Sequence, residues 1–189
     1  FVCTALPLYA QDADPPLDGP PPPAAPAIIA RDGQGRITLR ATRVQNFTFD
    51  GALDEAFYRD IPPISDFIQQ EPREGQPATE RTDVWVVYDR QNLYVSARIW
   101  ESDMSRLVAT EMRRDANNLY NNDHFGVSFD SFYDRRNGYG FAVNPQGGML
   151  DWSITNEQPN NSWNGVWMVR TGRFEGGWTV EIRFPFRSF

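Results

Sequence analysis

Six tryptophans stand out in a chain of 189 residues. A tryptophan face stacks on the apolar C–H face of a pyranose, while nearby amides, carboxylates and guanidinium groups bond its hydroxyls. Trp163 and Trp167 lie in or just after the asparagine-rich stretch NEQPNNSWNG, and Trp152 lies just before it; these three are the expected saccharide platform. Trp100 falls on the face of an alternating run opposite Leu93, so it either meets solvent or faces a second layer. Arg135, in FYDRRNGYG, is a contact for an acidic sugar if it is not simply solvated in a turn. Trp85 and Trp178 sit within alternating runs and are expected in the core. For each platform tryptophan, packing is the competing role.

Oxygen ligands are the second chemical signal. The segment RRDANNLYNNDHF carries Asp115, Asn117, Asn118, Asn121, Asn122 and Asp123. Hard cations such as Ca2+ take six to eight oxygens from such side chains and from carbonyls. Asp103 completes the expected metal set with Asp115 and Asp123, and Glu101, Asp130 and Asp151 lie near predicted strand ends. The segment lacks the glycine and terminal glutamate of an EF-hand loop. A solvated Asn/Asp turn is therefore the other reading.

Several chemistries lack their residues. His124 is the only histidine and Cys3 the only cysteine. A zinc or iron site built on two histidines and a carboxylate is thus ruled out. A Ser-His-Asp triad would have to use His124, and no spacing among the 25 acidic residues singles out an acid and its partner for glycoside hydrolysis. No catalytic residue is assigned. The net charge of −7 argues against phosphate-neutralising nucleic-acid binding.

These side chains must be carried on a framework, and its pattern is β. The first thirty residues hold eight of the fifteen prolines, so the core-forming material lies after about Arg31. FVCTALPLYA (1–10) reads as the remainder of a signal peptide cleaved after Ala10, inside a longer reading frame. Residues 11–30 read as an extended proline-rich linker. Beyond them, period-two alternation broken by turn clusters predicts a sandwich or barrel of eight or nine strands. LYVSARIW places Leu93, Val95, Ala97 and Ile99 on one face, and DVWVVYD joins it through Arg90 and Gln91 as a hairpin. HFGVSFDS, GYGFAVN, MLDWSIT, VWMVRTG, GWTVEIRFPF and RITLRATRVQ supply the rest. Short helices are expected over 53–60 and 104–108, and Pro185 marks an edge or a strand end.

Four stretches, DGALDEAFYRD with FIQQEPREGQPATERT, VWVVYDRQNLYVSARIWESD, NDHFGVSFDSFYDRRNGYGFAVNPQGGMLD and WNGVWMVRTGRFEGGWTVEIRFPF, together resemble the N-terminal domain of exported bacterial proteins similar to carbohydrate-binding module family 9. The resemblance implies an all-β antiparallel sandwich of the immunoglobulin-like or jelly-roll type over 31–189, with one or two short helices. It further implies an oligo- or polysaccharide partner and bound Ca2+. It also implies periplasmic or cell-surface placement, and a following region that associates with the outer membrane. The family's sugar-stacking tryptophans do not match this chain one by one. A docking domain without a sugar site, or a substrate-delivering part of a hydrolase, are the competing functions, because one sandwich supports many roles.

Overall fold

The structure, a computed structural model, describes residues 20–188. The predicted signal-peptide remainder and the first part of the predicted linker lie outside these residues. β1 (Ile29–Arg31) and β2 (Ile37–Leu39) pair as a small ribbon, so regular structure begins two residues inside the predicted linker.

Two larger sheets follow. β3 (Thr42–Arg43), β4 (Thr82–Tyr88), β5 (Asn92–Trp100), β10 (Met168–Phe174) and β11 (Gly177–Pro185) form one in the order β10-β11-β5-β4-β3. β6 (Phe125–Phe129), β7 (Gly138–Val143), β8 (Met149–Thr155) and β9 (Gln158–Asn160) form the other in that order. All pairs are antiparallel except the short β3–β4 pair, which is parallel. The predicted β4–β5 hairpin is present, with Tyr88 opposite Leu93.

Alternation dictates which side chains meet between the sheets. Val84, Val95, Ala97, Trp178, Val180, Ile182 and Phe184 from the first sheet meet Phe141, Val143, Phe125, Val127 and Phe129 from the second. Phe184 contacts both Phe129 and Phe141 edge-on, at ring separations of 5.1 and 4.7 Å. Trp178 is buried here, and Trp85 in a second layer, as their runs predict.

That second layer covers the other face of the five-stranded sheet. Trp85, Val87 and Tyr94 pack there against Val44, Leu53, Tyr58 and Ile61. The covering segment is pinned at Gly51, whose amide donates to Glu181 Oε2 at 2.8 Å and whose carbonyl accepts from Thr179 Oγ1 at 2.6 Å. Only glycine fits: φ is +89°, and a Cβ would lie 2.9 Å from the Thr171 carbonyl carbon.

Some expected boundaries moved. RITLRATRVQ is two strands, because the chain leaves the ribbon after Leu39 and joins β4 through Thr42 and Arg43. The helix predicted over 53–60 is one turn, α1 (Phe57–Asp60), since Leu53 takes a left-handed φ of +54° that a helix cannot include. The 104–108 helix is a 3-10 turn over Met104–Arg106, capped by the Asp103 side chain. β9 was not anticipated; it is a three-residue edge strand holding Pro159, where a missing N–H does no harm. Pro185 stands at a strand end, as expected.

Candidate saccharide-binding surface

The side chains on the outer face of the four-stranded sheet are small except on one strand. Its register sets Ser128 opposite Gly140 and Gly140 opposite Trp152, with Gly126 opposite Ala142 and Ala142 opposite Leu150 alongside. The Trp152 indole lies over Gly140: a Cβ there would fall 2.0 Å from Cε2 and 2.1 Å from Cζ2. Any side chain at 140 would displace the ring. Glycine within a strand often marks such a close approach.

A second ring completes a corner. Tyr120, half exposed, stands 6.3 Å from Trp152 with its plane turned by 61°. His124 meets Tyr120 edge-on at 5.7 Å, and its Nδ1 lies 2.9 Å from the Asn122 carbonyl. Burial raises the Tyr120 hydroxyl above its ordinary pKa, so it stays a neutral donor and acceptor at physiological pH. The result is a two-walled aromatic recess beside the exposed Gly126 and Ser128, while Ala142 is covered by Leu119.

The asparagine-rich segment builds the support for this recess. Leu119 is fully buried against Ala142 and Leu150, directly before Tyr120. Asn122 Oδ1 accepts from the amides of Thr110 and Glu111 at 2.7 and 3.0 Å, and from Asn144 Nδ2 at 3.1 Å. Buried amides thus tie the segment to the sheet. Asn122 is 7% exposed, which departs from the solvated-turn reading at this residue.

The three carboxylates expected to hold Ca2+ each have local partners. Asp103 Oδ1 accepts from the Ser105 amide at 3.0 Å and its hydroxyl at 2.6 Å. Asp123 Oδ2 accepts from the Val108 amide at 2.6 Å, and Asp115 faces the Arg114 Nε at 3.4 Å. Among the described residues no three His, Cys, Asp or Glu side chains converge on a point. Asp103 and Asp123 serve turns and Asp115 Oδ2 an ion pair, while Asp115 Oδ1 is buried without a hydrogen-bond partner.

The other predicted contacts are scattered. Trp167 is 4% exposed, and its indole N–H donates to Asp151 Oδ2 at 2.7 Å. This corrects its expected place on the platform: the core phenylalanines Phe141 and Phe184 flank its ring, which leaves no face for a ligand. Trp100 faces the second layer's side of its sheet, where the Arg81 guanidinium sits 4.5 Å over its ring and Phe174 abuts it at 5.6 Å. One of its faces is therefore occupied by a cation. Arg135 is exposed on the 130–137 loop at φ +58°, its amide held by Asp130 Oδ2 at 2.7 Å. Trp163 is half-buried, 4.7 Å from Tyr139, on the opposite face of the sheet from Trp152.

Only Trp152 of the predicted set belongs to the outer-face recess. Tyr120 was missed, because it lies in a non-repeating segment whose path depends on Asn122 and Asn144. A usable signal did exist in strand parity, which puts Gly140 and Ala142 together on one face, opposite to Phe141.

No protein-family model matches this chain, and no curated protein matches it. Solved structures do. A carbohydrate binding module family 9 (CBM9) from Caldicellulosiruptor kristjanssonii in complex with cellotriose superposes with a TM-score of 0.55 at 14% identity, covering 77% of this chain and 66% of the module. The same organism's CBM9 in complex with glucose gives 0.54 at 14% identity, over 78% and 68%. A candidate carbohydrate-binding protein from Bacteroides uniformis gives 0.53 at 12% identity, over 79% and 72%. The chain thus spans about two thirds of the length of the CBM9 structures it matches. The fold of this chain is a CBM9-like β-sandwich.

Proposed function

We propose that this chain is a non-catalytic carbohydrate-binding module of an exported protein and takes an oligo- or polysaccharide on the outer face of its four-stranded sheet. The observation that carries the reading is the row Ser128–Gly140–Trp152 with Tyr120 set across its end. It combines two aromatic walls, a floor without bulky side chains, and hydroxyl and imidazole groups at the margin. The CBM9 structures of like fold, in complex with cellotriose and with glucose, support the ligand class. A net charge of −7 favours a neutral or cationic glycan over a polyanionic one.

The role in export and in polysaccharide breakdown follows from the sequence resemblance and the apolar N-terminal run. In that role the module holds a glycan near its source, and hydrolysis belongs to another part of the same protein or to a partner.

Isothermal titration with cellotriose tests the reading. Trp152→Ala and Tyr120→Ala should each weaken binding by about tenfold or more, the effect of losing a central aromatic contact. Unchanged affinity in both folded variants would refute it.

A further inference from the structure

The opposite face of the same sheet edge carries a second opening. Where the two sheets part, Tyr139 and Ser153 stand opposite each other on the core-facing side of β7 and β8, and Ser153 pairs in turn with Asn160. The Trp163 amide bonds the Asn160 carbonyl at 3.3 Å, which brings its indole back over Tyr139 at 4.7 Å and a tilt of 32°. Phe132, 69% exposed on the 130–137 loop, forms the other wall. The depression between them measures about 470 Å³ and is also lined by Asn137 and Thr155.

Its polar groups are unevenly committed. Asn137 is held in place: its Oδ1 accepts from the Asn156 amide at 3.0 Å and its Nδ2 donates to Asp134 Oδ2 at 2.5 Å. Asp134 also accepts the Arg136 and Asn137 amides at 2.8 Å, so it serves the loop. By contrast, the Ser153 and Thr155 hydroxyls take no partner among the described residues. No arginine lines the depression, and Arg136 is drawn to Glu157 at 3.5 Å.

We infer that this rim groove, walled by Trp163 and Phe132 and floored by Tyr139, Ser153 and Thr155, is a second saccharide site that takes a neutral glycosyl unit. Aromatic walls with a few placed hydroxyls, in a volume of this order, are what small-ligand sites provide. The lack of a lining cation selects against uronates and sulfated sugars. Trp152 and Ser153 are neighbours on β8 pointing to opposite faces, so one strand serves both sites. Two sites on one module raise retention on a polymer beyond either alone. The inference rests on the saccharide reading for its ligand class, while its residues are separate.

Amide chemical-shift mapping on the 15N-labelled chain, titrated with cellotriose and separately with xylotriose, tests both sites at once. Shifts in two groups, around 120, 126–128, 140 and 152 and around 132, 137–139, 153–155 and 163, are expected. In Trp152→Ala the second group should persist with its own affinity. Phe132→Ser, at an exposed position that leaves the core intact, should weaken it by about fivefold to tenfold, and Trp163→Phe should do so more mildly. Shifts confined to the first group would overturn the rim site and leave the outer-face site standing. Shifts confined to the second would do the reverse, and no shifts with either sugar would overturn both.

Discussion

The indole N–H of Trp167 and the carboxylate of Asp151 meet at 2.7 Å, with both residues buried between the sheets. Asp151 also accepts from the Gly165 amide at 3.1 Å and from the Arg114 guanidinium. One carboxylate thus ties β8, the 163–167 loop and the 114–115 turn together. A buried charge is tolerated here because each oxygen has donors.

Trp167→Ala removes core volume and takes one of three donors from this carboxylate, so it should cost about 3–5 kcal/mol of stability in urea denaturation. Trp167→Phe keeps most of the packing and should cost less, with cellotriose affinity unchanged. If folded Trp167→Phe bound sugar tenfold more weakly, the indole would be acting as a contact and its burial would be misassigned.

The Glu181 carboxyl makes stability fall as pH rises. Desolvation pushes it up to about 7, helped by the charges of Glu55 and Asp50 and opposed by the Gly51 amide and the Tyr58 hydroxyl at 3.0 Å. Its ordinary value is 4.5, so between pH 4.5 and about 7 the native state keeps a proton that the unfolded chain has released. The contribution is complete below that window and lost above it, by at most about 3 kcal/mol. Glu181→Gln cannot ionise, and it should raise the melting temperature at pH 8 while leaving it nearly unchanged at pH 4.5. A parallel shift at both pH values would show that Glu181 is not the titrating group.

Glu111 acts in the opposite direction. The Arg113 guanidinium, at 2.9–3.0 Å, and the Arg113 amide hold its carboxyl down at about 2. A lowered native pKa supplies stability above pH 4.5 that disappears as pH falls toward 2. Acid unfolding of Glu111→Gln should therefore begin from a lower stability at pH 6 and converge with the parent near pH 2. Identical acid-unfolding curves would sink the assignment.

Gly140→Ala probes the outer-face recess from beneath. Its methyl would sit 2.0 Å from the Trp152 ring, which must move away. The overpacking should cost about 1–3 kcal/mol and reduce cellotriose affinity by about fivefold or more. Near-ultraviolet circular dichroism checks that the indole has shifted; a shifted ring with unaltered binding would separate Trp152 from the ligand.

Strand parity in the sequence was enough to assign faces over much of the sandwich. Alternation put Leu93, Val95 and Ala97 on one face and Tyr94, Ser96 and Trp100 on the other, and the structure keeps that division, with the first set between the sheets and Tyr94 in the second layer. It also placed Trp85 and Trp178 inside, because a strand's two faces follow from a two-residue repeat alone. The proposal of Trp152 as a contact came from the same reasoning about type and position.

What lay beyond the sequence was where non-repeating segments return to the sheets. Trp167 follows an asparagine-rich loop and looked available, yet Asp151, sixteen residues earlier, draws its N–H into the core. Tyr120 joins Trp152 only because Leu119 is buried and Asn122 is bound across to Asn144. Period and residue type act over a few neighbours, whereas these meetings depend on side-chain hydrogen bonds between residues distant in the chain, which only the folded packing selects.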